Sequence, residues 1–287
     1  MSNLEVSRAK RLDHAVVDQL PQLSRSFASQ LVEEGKVLVN GQPILKAGYK
    51  LHGGDMVTIL YDPAKEPPVP AIKLRVLYED ADCLVIDKPV GVLTHSKGEF
   101  NPEATVATFL RSHIQGMDGS RAGIVHRLDR ATSGVMIAAK TPEALAWLQK
   151  QFSQRKAKKT YIAIVQGHLK QDEAVIDMPI ERNPKAPSTF RVGPNGKKAL
   201  THYKVLKASK QYSLLELKPT TGRTHQLRVH LAQLGHPIIG DSMYGGKKSE
   251  RLFLHARELE ITLPDKQRVT FESPLPAVFA RTMKADA

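Results

Sequence analysis

Four prolines fall within nine residues at Asp62-Pro63-Ala64-Lys65-Glu66-Pro67-Pro68-Val69-Pro70. Proline fixes φ and lacks a backbone donor, so this stretch resists helix and sheet alike and reads as a semi-rigid spacer. It divides the chain into a small N-terminal module and a large C-terminal one. A length of 287 residues suits that division, and 41% hydrophobic residues allow a normal buried core.

The net formal charge of +13 favours a polyanionic partner, either nucleic acid or an anionic membrane surface. Residues 1–70 hold eight Lys/Arg and eight Asp/Glu, whereas the remainder holds 34 basic against 21 acidic residues. The large module therefore carries the whole excess and should meet the polyanion. A lone cysteine, Cys83, excludes an intramolecular disulfide and a multi-cysteine zinc site. It fits a reducing compartment and sits in an apolar run as a small core residue. Met1-Ser2-Asn3-Leu4-Glu5 lacks the apolar stretch of a signal peptide, and no run approaches transmembrane length. The expectation is a soluble, cytoplasmic, monomeric protein with no membrane partner.

The small module reads as helix, helix, then short strands. Leu12, Val16 and Leu20 recur at helical spacing, as do Phe27 and Leu31, and Gly35 stands where a helix stops. Val37-Leu38-Val39 reads as a strand before the tight turn Asn40-Gly41, and residues 56–60 close the module as another. In the large module, residues 74–78 and 83–87 flank an acidic turn and predict a hairpin. Residues 135–139 form a buried apolar strand. Thr141-Pro142 starts a helix, with threonine as cap, proline at its first position, and Leu145, Leu148 and Phe152 facing inward. Residues 161–165, 200–205 and 212–217 are further strands, and Leu227, Leu231 and Leu234 mark a helix ended by Gly235. Residues 185–198, rich in Pro, Gly and Lys/Arg, read as a loop in reach of RNA. Strands and helices do not alternate regularly, so an α+β fold with a mixed sheet is expected rather than a doubly wound one.

One carboxylate stands out. Asp129 lies in His126-Arg127-Leu128-Asp129-Arg130-Ala131-Thr132-Ser133-Gly134, and a second basic run, Gly222-Arg223-Thr224-His225-Gln226-Leu227-Arg228, follows far downstream. A nucleophilic or basic aspartate must be ionised, and a nearby guanidinium favours the charged form. Arg127, Arg130 and Arg223 are the candidates. The competing reading is a structural ion pair, or a turn carboxylate capping Thr132 or Ser133.

These runs carry a resemblance. His126–Asp129 with Thr132-Ser133-Gly134 is similar to the signature of the RluA-type pseudouridine synthases. Lys159-Thr160-Tyr161 resembles their second motif, and the stretch 217–230 their third. His236–Asp241 and Tyr244-Gly245 continue the similarity, which runs in the family's order from about residue 72 to 275. Leu23-Ser24-Arg25-Ser26 and Gly35–Gly41 make residues 11–61 resemble an S4 RNA-binding domain, a frequent companion in that family. The resemblance implies an S4 domain at 11–61, a linker at 62–71 and a mixed, mainly antiparallel catalytic domain at 72–280. Two positions depart from the family pattern: Asp87-Lys88-Pro89-Val90-Gly91 has Asp where Asn is usual, and His95-Ser96 replaces His-Pro. Both support the cleft rather than the chemistry. The tripeptide Arg11-Leu12-Asp13 repeats Arg-Leu-Asp at a helix start, where no catalytic role is assigned.

The resemblance also implies roles. Asp129 would attack a target uridine or remove a sugar proton. The C–N glycosidic bond breaks, the uracil turns, and a bond forms from C5, with no metal or organic cofactor. Arg223 would hold Asp129 charged, or, near a helix start at Thr224, grip a phosphate. Tyr161 would stack on the flipped base and help remove the C5 proton. Arg127 would fill the space the base leaves, and Leu217 would form an apolar floor. Arg11 and Arg25 would contact RNA from the S4 helices, or serve only as a solvated helix face. The run Arg155–Lys159 would meet phosphates. His225, His230 and His236 lack metal-ligand spacing and are expected to be structural or RNA-facing. The implied function is pseudouridine formation in ribosomal RNA, that of the large subunit. Transfer RNA is the runner-up substrate. A non-catalytic RNA-binding assembly factor is the rival class. A phosphate-acting hydrolase lacks metal ligands and a phosphate-cradling glycine loop.

Overall fold

A computed structural model of the protein describes residues 2–62, 65, 69–96, 103–114, 116–117, 121 and 123–286. Pro63, Ala64 and residues 66–68 of the proline-rich spacer lie outside the described residues. The chain forms two compact units. The first takes in Met1–Lys73, His95–Ser112 and Asp118–Ala122; the second takes in Leu74–Thr94, His113–Met117 and Gly123–Ala287. Among the described residues, no helix is long and apolar enough to cross a membrane.

In the first unit, β1 (Ser2–Glu5), β2 (Lys10–Arg11), α1 (Leu12–Gln19), α2 (Arg25–Glu33), β3 (Val37–Val39), β4 (Gln42–Pro43), β5 (Lys50–Leu51), β6 (Met56–Ile59) and α3 (Val106–Leu110) follow in order. Strands β1-β6-β3-β4 make one antiparallel sheet, and β2 pairs with β5. Ser24 caps α2, its Oγ accepting from Phe27 N at 3.1 Å. Leu12, Val16, Ala28 and Leu31 from the two helices bury against Val37, Val57 and Ile59. Strand β1 extends this sheet to residues before the predicted start of the module. It has no local pattern of its own and is defined by pairing with β6.

In the second unit, β7 (Arg75–Glu79), β8 (Cys83–Lys88), β9 (Ser133–Ala139), α4 (Pro142–Ser153), β10 (Lys158–Gln166), β11 (Glu173–Asp177), β12 (Ile180–Arg182), β13 (Phe190–Val192), β14 (Leu200–Ala208), β15 (Tyr212–Pro219), α5 (Gln226–Gln233), β16 (Leu254–Thr262), β17 (Arg268–Glu272) and α6 (Ala277–Ala285) follow. Nine strands form one sheet in the order β11-β14-β15-β10-β16-β9-β8-β7, with β17 added on β16. Among the described residues its pairs are antiparallel except β16 with β9. The mixed, mainly antiparallel α+β architecture matches the sequence expectation. The hairpin β7–β8 forms, β9 is buried along its whole length, and Thr141 caps α4 by accepting from Ala144 N. Cys83 is buried and unpaired by any disulfide, and burial pushes its thiol up to about 12.

The parallel pair is tight. Gly134 has φ +121°, and a Cβ there would stand 2.2 Å from Ala256 O. Only glycine lets β9 lie so close to β16. The predicted loop 185–198 is corrected in part: residues 190–192 are β13, antiparallel to β12. Three residues are too few to show a strand period. Phe190 and Val192 are held because they pack on Ile180, Ala199 and Val229.

Candidate active site

Asp129 lies in the loop that leads into β9, within the second unit. Its backbone carbonyl accepts from Thr132 N at 3.0 Å, which closes a tight turn. The flanking residues are tied down from the segment after β8. Lys88 is fully buried, and its Nζ donates to Pro89 O (3.0 Å), Val92 O (2.7 Å) and Arg130 O (3.3 Å). Gly91 N donates to the same Arg130 carbonyl at 2.8 Å. Thr94 Oγ1 donates to Leu128 O at 2.7 Å and accepts from Leu128 N at 3.2 Å. Residues on both sides of Asp129 are thus fixed by hydrogen bonds from the segment after β8. Burial pushes the Lys88 ammonium down to about 7, against the pull of the Asp129 charge.

A cavity of about 560 Å³ opens beside Asp129. That lies within the range of about 300–1,000 Å³ usual for small-molecule sites. Arg127, Asp129, Lys159, Tyr161, His225 and Arg228 are among its lining residues. The Asp129 side chain keeps 22% exposure, and two side-chain nitrogens approach its Oδ2: Arg228 Nη1 at 3.5 Å and His225 Nε2 at 3.7 Å. Arg228 is itself buried, held by Asp241 through Nε–Oδ2 and Nη2–Oδ1 bonds of 2.7 Å each. Burial opposes the charge on Arg228, but the bonds to Asp241 outweigh it and raise the guanidinium above its ordinary value. Its Cζ stacks over the Tyr244 ring at 5.0 Å.

Tyr161 stands at a bulge, where the β10–β16 register shifts between Thr160 and Tyr161. Such a bulge re-aims a side chain, here into the cavity. Burial, then the Asp129 charge, raises the phenol well above its ordinary value, so it is neutral. His126 also lines the cavity. It stacks on Phe152 at 4.5 Å, its Nε2 accepts from Ile137 N at 3.1 Å, and burial pushes it down to about 3.

Several sequence assignments change. Arg223 does not pair with Asp129; its Nε donates to Lys198 O at 3.0 Å. It opens the turn before α5, its carbonyl accepting from Gln226 N at 3.1 Å, whereas Arg228 lies in the helix and reaches Asp129. Leu217 is fully buried in the core, across from Tyr161 in the β10–β15 ladder, and is not part of the cavity wall. Tyr161, Leu227 and Leu254 supply the apolar surface there. Arg127 is exposed and lines the cavity. Arg130 Nη1 reaches back to Gly91 O at 3.3 Å. In the first unit, Arg11 and Arg25 converge on one carboxylate. Asp13, only 1% exposed, accepts from Arg11 Nε (2.9 Å), Arg11 Nη2 (3.0 Å) and Arg25 Nε (3.0 Å).

The RNA pseudouridylate synthase family matches residues 82–233, and the S4 domain matches residues 10–57. An uncharacterized RNA pseudouridine synthase of Aquifex aeolicus is 42% identical over 249 residues, covering 84% of this chain and 78% of the relative. A ribosomal large subunit pseudouridine synthase D of Nitrosomonas europaea is 38% identical over 291 residues, covering 96% of this chain and 84% of the relative. The chain belongs to the RNA pseudouridylate synthase family. Its fold agrees with a human structure described as RNA pseudouridylate synthase domain containing 1. That structure has a TM-score of 0.61 and 30% identity, and the match covers 73% of this chain and 86% of the other.

The synthase is an isomerase that forms pseudouridine in RNA. Three residues near Asp129 were given no role in the sequence assignment. Arg228 and Asp241 both stood in the quoted motifs, but only the fold brings them together in a buried pair. Tyr244 also stood there without a role. Its Oη accepts from Phe190 N at 3.0 Å and lies 2.7 Å from His225 Nδ1. His230 and His236 are structural, bonded to Thr201, Met178 and Gln166. Among the described residues, no cluster of three His, Cys, Asp or Glu side chains is placed to hold a metal ion.

Proposed function

We propose that this synthase isomerises specific uridines of large-subunit ribosomal RNA, with Asp129 as the reacting group. The similarity to a ribosomal large subunit pseudouridine synthase D over 96% of the chain, S4 domain included, carries the choice of RNA. The choice of residue rests on the carboxylate at the cavity, held between a buried guanidinium and an imidazole.

In this reading the target base leaves its stack and lies against Tyr161, whose neutral phenol suits stacking better than the role of a standing base. Arg127 enters the space the base has left. Asp129 attacks the nucleotide or removes a sugar proton, and the bond from C1′ to N1 breaks. The uracil turns, C5 bonds to C1′, C5 loses its proton and N1 gains one. Atoms and electrons balance within the substrate, so the reaction calls for no redox partner and no energy source. Arg228 keeps the carboxylate oriented throughout. Arg11 and Arg25 hold flanking RNA.

The test is pseudouridine mapping, by carbodiimide modification and primer extension, of ribosomal and transfer RNA from cells lacking the protein. The cells are complemented with wild type or Asp129→Asn. A large-subunit site lost in the deletion and restored by wild type alone is the expected result. A change confined to transfer RNA leaves the reaction and overturns the substrate. Restoration by Asp129→Asn overturns the role of the carboxylate.

A further inference from the structure

His225 is the one histidine of its motif that faces Asp129, and its hydrogen bonds determine which nitrogen carries the proton. Tyr244 Oη already accepts from Phe190 N–H at 3.0 Å and lies 2.7 Å from His225 Nδ1. A phenol has one proton to give. If Nδ1 accepts it, the proton of the neutral ring sits on Nε2 and points toward Asp129 Oδ2, 3.7 Å away. In the other tautomer, an Nε2 lone pair would face the carboxylate and the phenol proton would lose this partner. Both terms favour Nε2–H. Burial lowers His225 below the ordinary imidazole value, against the pull of Asp129, so the ring stays neutral.

The two donors at Asp129, Arg228 Nη1 and His225 Nε2, both address Oδ2. Among the described residues, no side chain bonds Oδ1. We infer that His225 is a positioning residue for Asp129, its tautomer locked by Tyr244, and that the pair His225–Arg228 engages Oδ2 so that Oδ1 is the oxygen presented to substrate. The inference rests on the reading of Asp129 as the reacting group. At 3.5 and 3.7 Å the two contacts are longer than a strong hydrogen bond, and the catalytic hydrogen bonds of a free active site often tighten only in the substrate complex.

The backbone supplies a discriminating pair of variants. His225 has φ +55°, the left-handed region that asparagine tolerates well. His225→Asn therefore suits the turn, and its short amide keeps the Tyr244 contact at the level of Nδ1 but stops short of Asp129. His225→Gln fits the backbone less well but carries its N–H to the level of Nε2. Both full-length variants are assayed by tritium release from a large-subunit ribosomal RNA transcript labelled at uridine C5. The expected result is a kcat for His225→Asn reduced by up to about 100-fold at little-changed KM, with His225→Gln within several-fold of wild type. The opposite order, with Asn active and Gln impaired, assigns His225 to the turn alone and overturns the inference.

A second measurement needs no substrate. In ¹⁵N-histidine-labelled protein, with the His225 signals assigned by their loss in His225→Asn, Nε2 should be protonated and Nδ1 not. Tyr244→Phe should yield a mixture of tautomers. A proton resident on Nδ1 of wild type overturns the lock whatever the kinetics. Asp129→Asn is the control for the underlying reading. Activity in that variant removes Asp129 from the chemistry, whereas an inactive Asp129→Asn beside a fully active His225→Asn removes only the positioning role.

Discussion

Arg228 and Asp241 form a buried bidentate pair with both bonds at 2.7 Å, and the remaining Nη1 of the same guanidinium faces Asp129. Two carboxylates therefore share one arginine. Asp241 fixes the plane of the fork, and Asp129 receives a cation that cannot swing away. A lysine in this position has a single point of charge and cannot serve both partners.

Arg228→Lys should accordingly lower kcat by about 100-fold or more. Arg223→Ala should act mainly on KM, because the Arg223 Nε is spent on Lys198 O. Steady-state kinetics of the two variants decide between them. Equal losses of kcat would return Arg223 to the carboxylate.

Lys88 links the Asp129 loop to pH. Its ammonium is depressed from 10.5 to about 7 by burial, so between those values the unfolded chain binds a proton that the folded chain does not. The folded state is therefore penalised as pH falls from about 10.5 to 7, and the penalty is constant below that. Relative to Lys88→Met, wild type should gain stability as pH rises from 7 to 10, by on the order of a few kcal/mol. Urea unfolding of both proteins across this range measures it; parallel curves would mean that Lys88 stays charged within its three carbonyls.

Asp13 offers a case where charge and geometry predict opposite signs. Burial opposes its ionisation, but the bonds from Arg11 and Arg25 prevail and hold the carboxyl below its usual value. Asp13→Asn makes the first unit more positive, so charge alone predicts tighter binding to RNA. If the carboxylate pre-organises two half-exposed guanidinium groups, affinity should instead fall several-fold. Binding of ribosomal RNA fragments at fixed salt gives the sign directly.

Gly134→Ala tests the parallel strand pair behind the site. A Cβ at 2.2 Å from Ala256 O, at φ +121°, requires β9 and β16 to separate. The variant should lose more than about 3 kcal/mol or fail to accumulate as soluble protein. A thermal midpoint within a few degrees of wild type would show that the strands yield readily.

Much of the frame was legible in the residues. The β7–β8 hairpin, the buried β9, the capped α4 and the two helices of the first unit each arise from a side-chain period or a cap acting within a few positions. Strand β13 and strand β1 were not legible, because each is short and exists by pairing with a partner that the chain supplies elsewhere.

The site divides in the same way. Asp129, Tyr161 and the basic, histidine-bearing stretch 222–228 stand out in the sequence by their motifs. Which arginine serves Asp129 does not. Arg223 and Arg228 lie five positions apart on one short stretch, and Asp129 is 99 positions from Arg228. The left-handed turn at His225 starts α5 beyond Arg223, and Asp241 binds the arginine that the helix carries inward. Local chemistry is written in neighbouring residues. The pairing of charges across the chain is decided by which groups the fold buries together, since a buried guanidinium must find its carboxylate or leave the core.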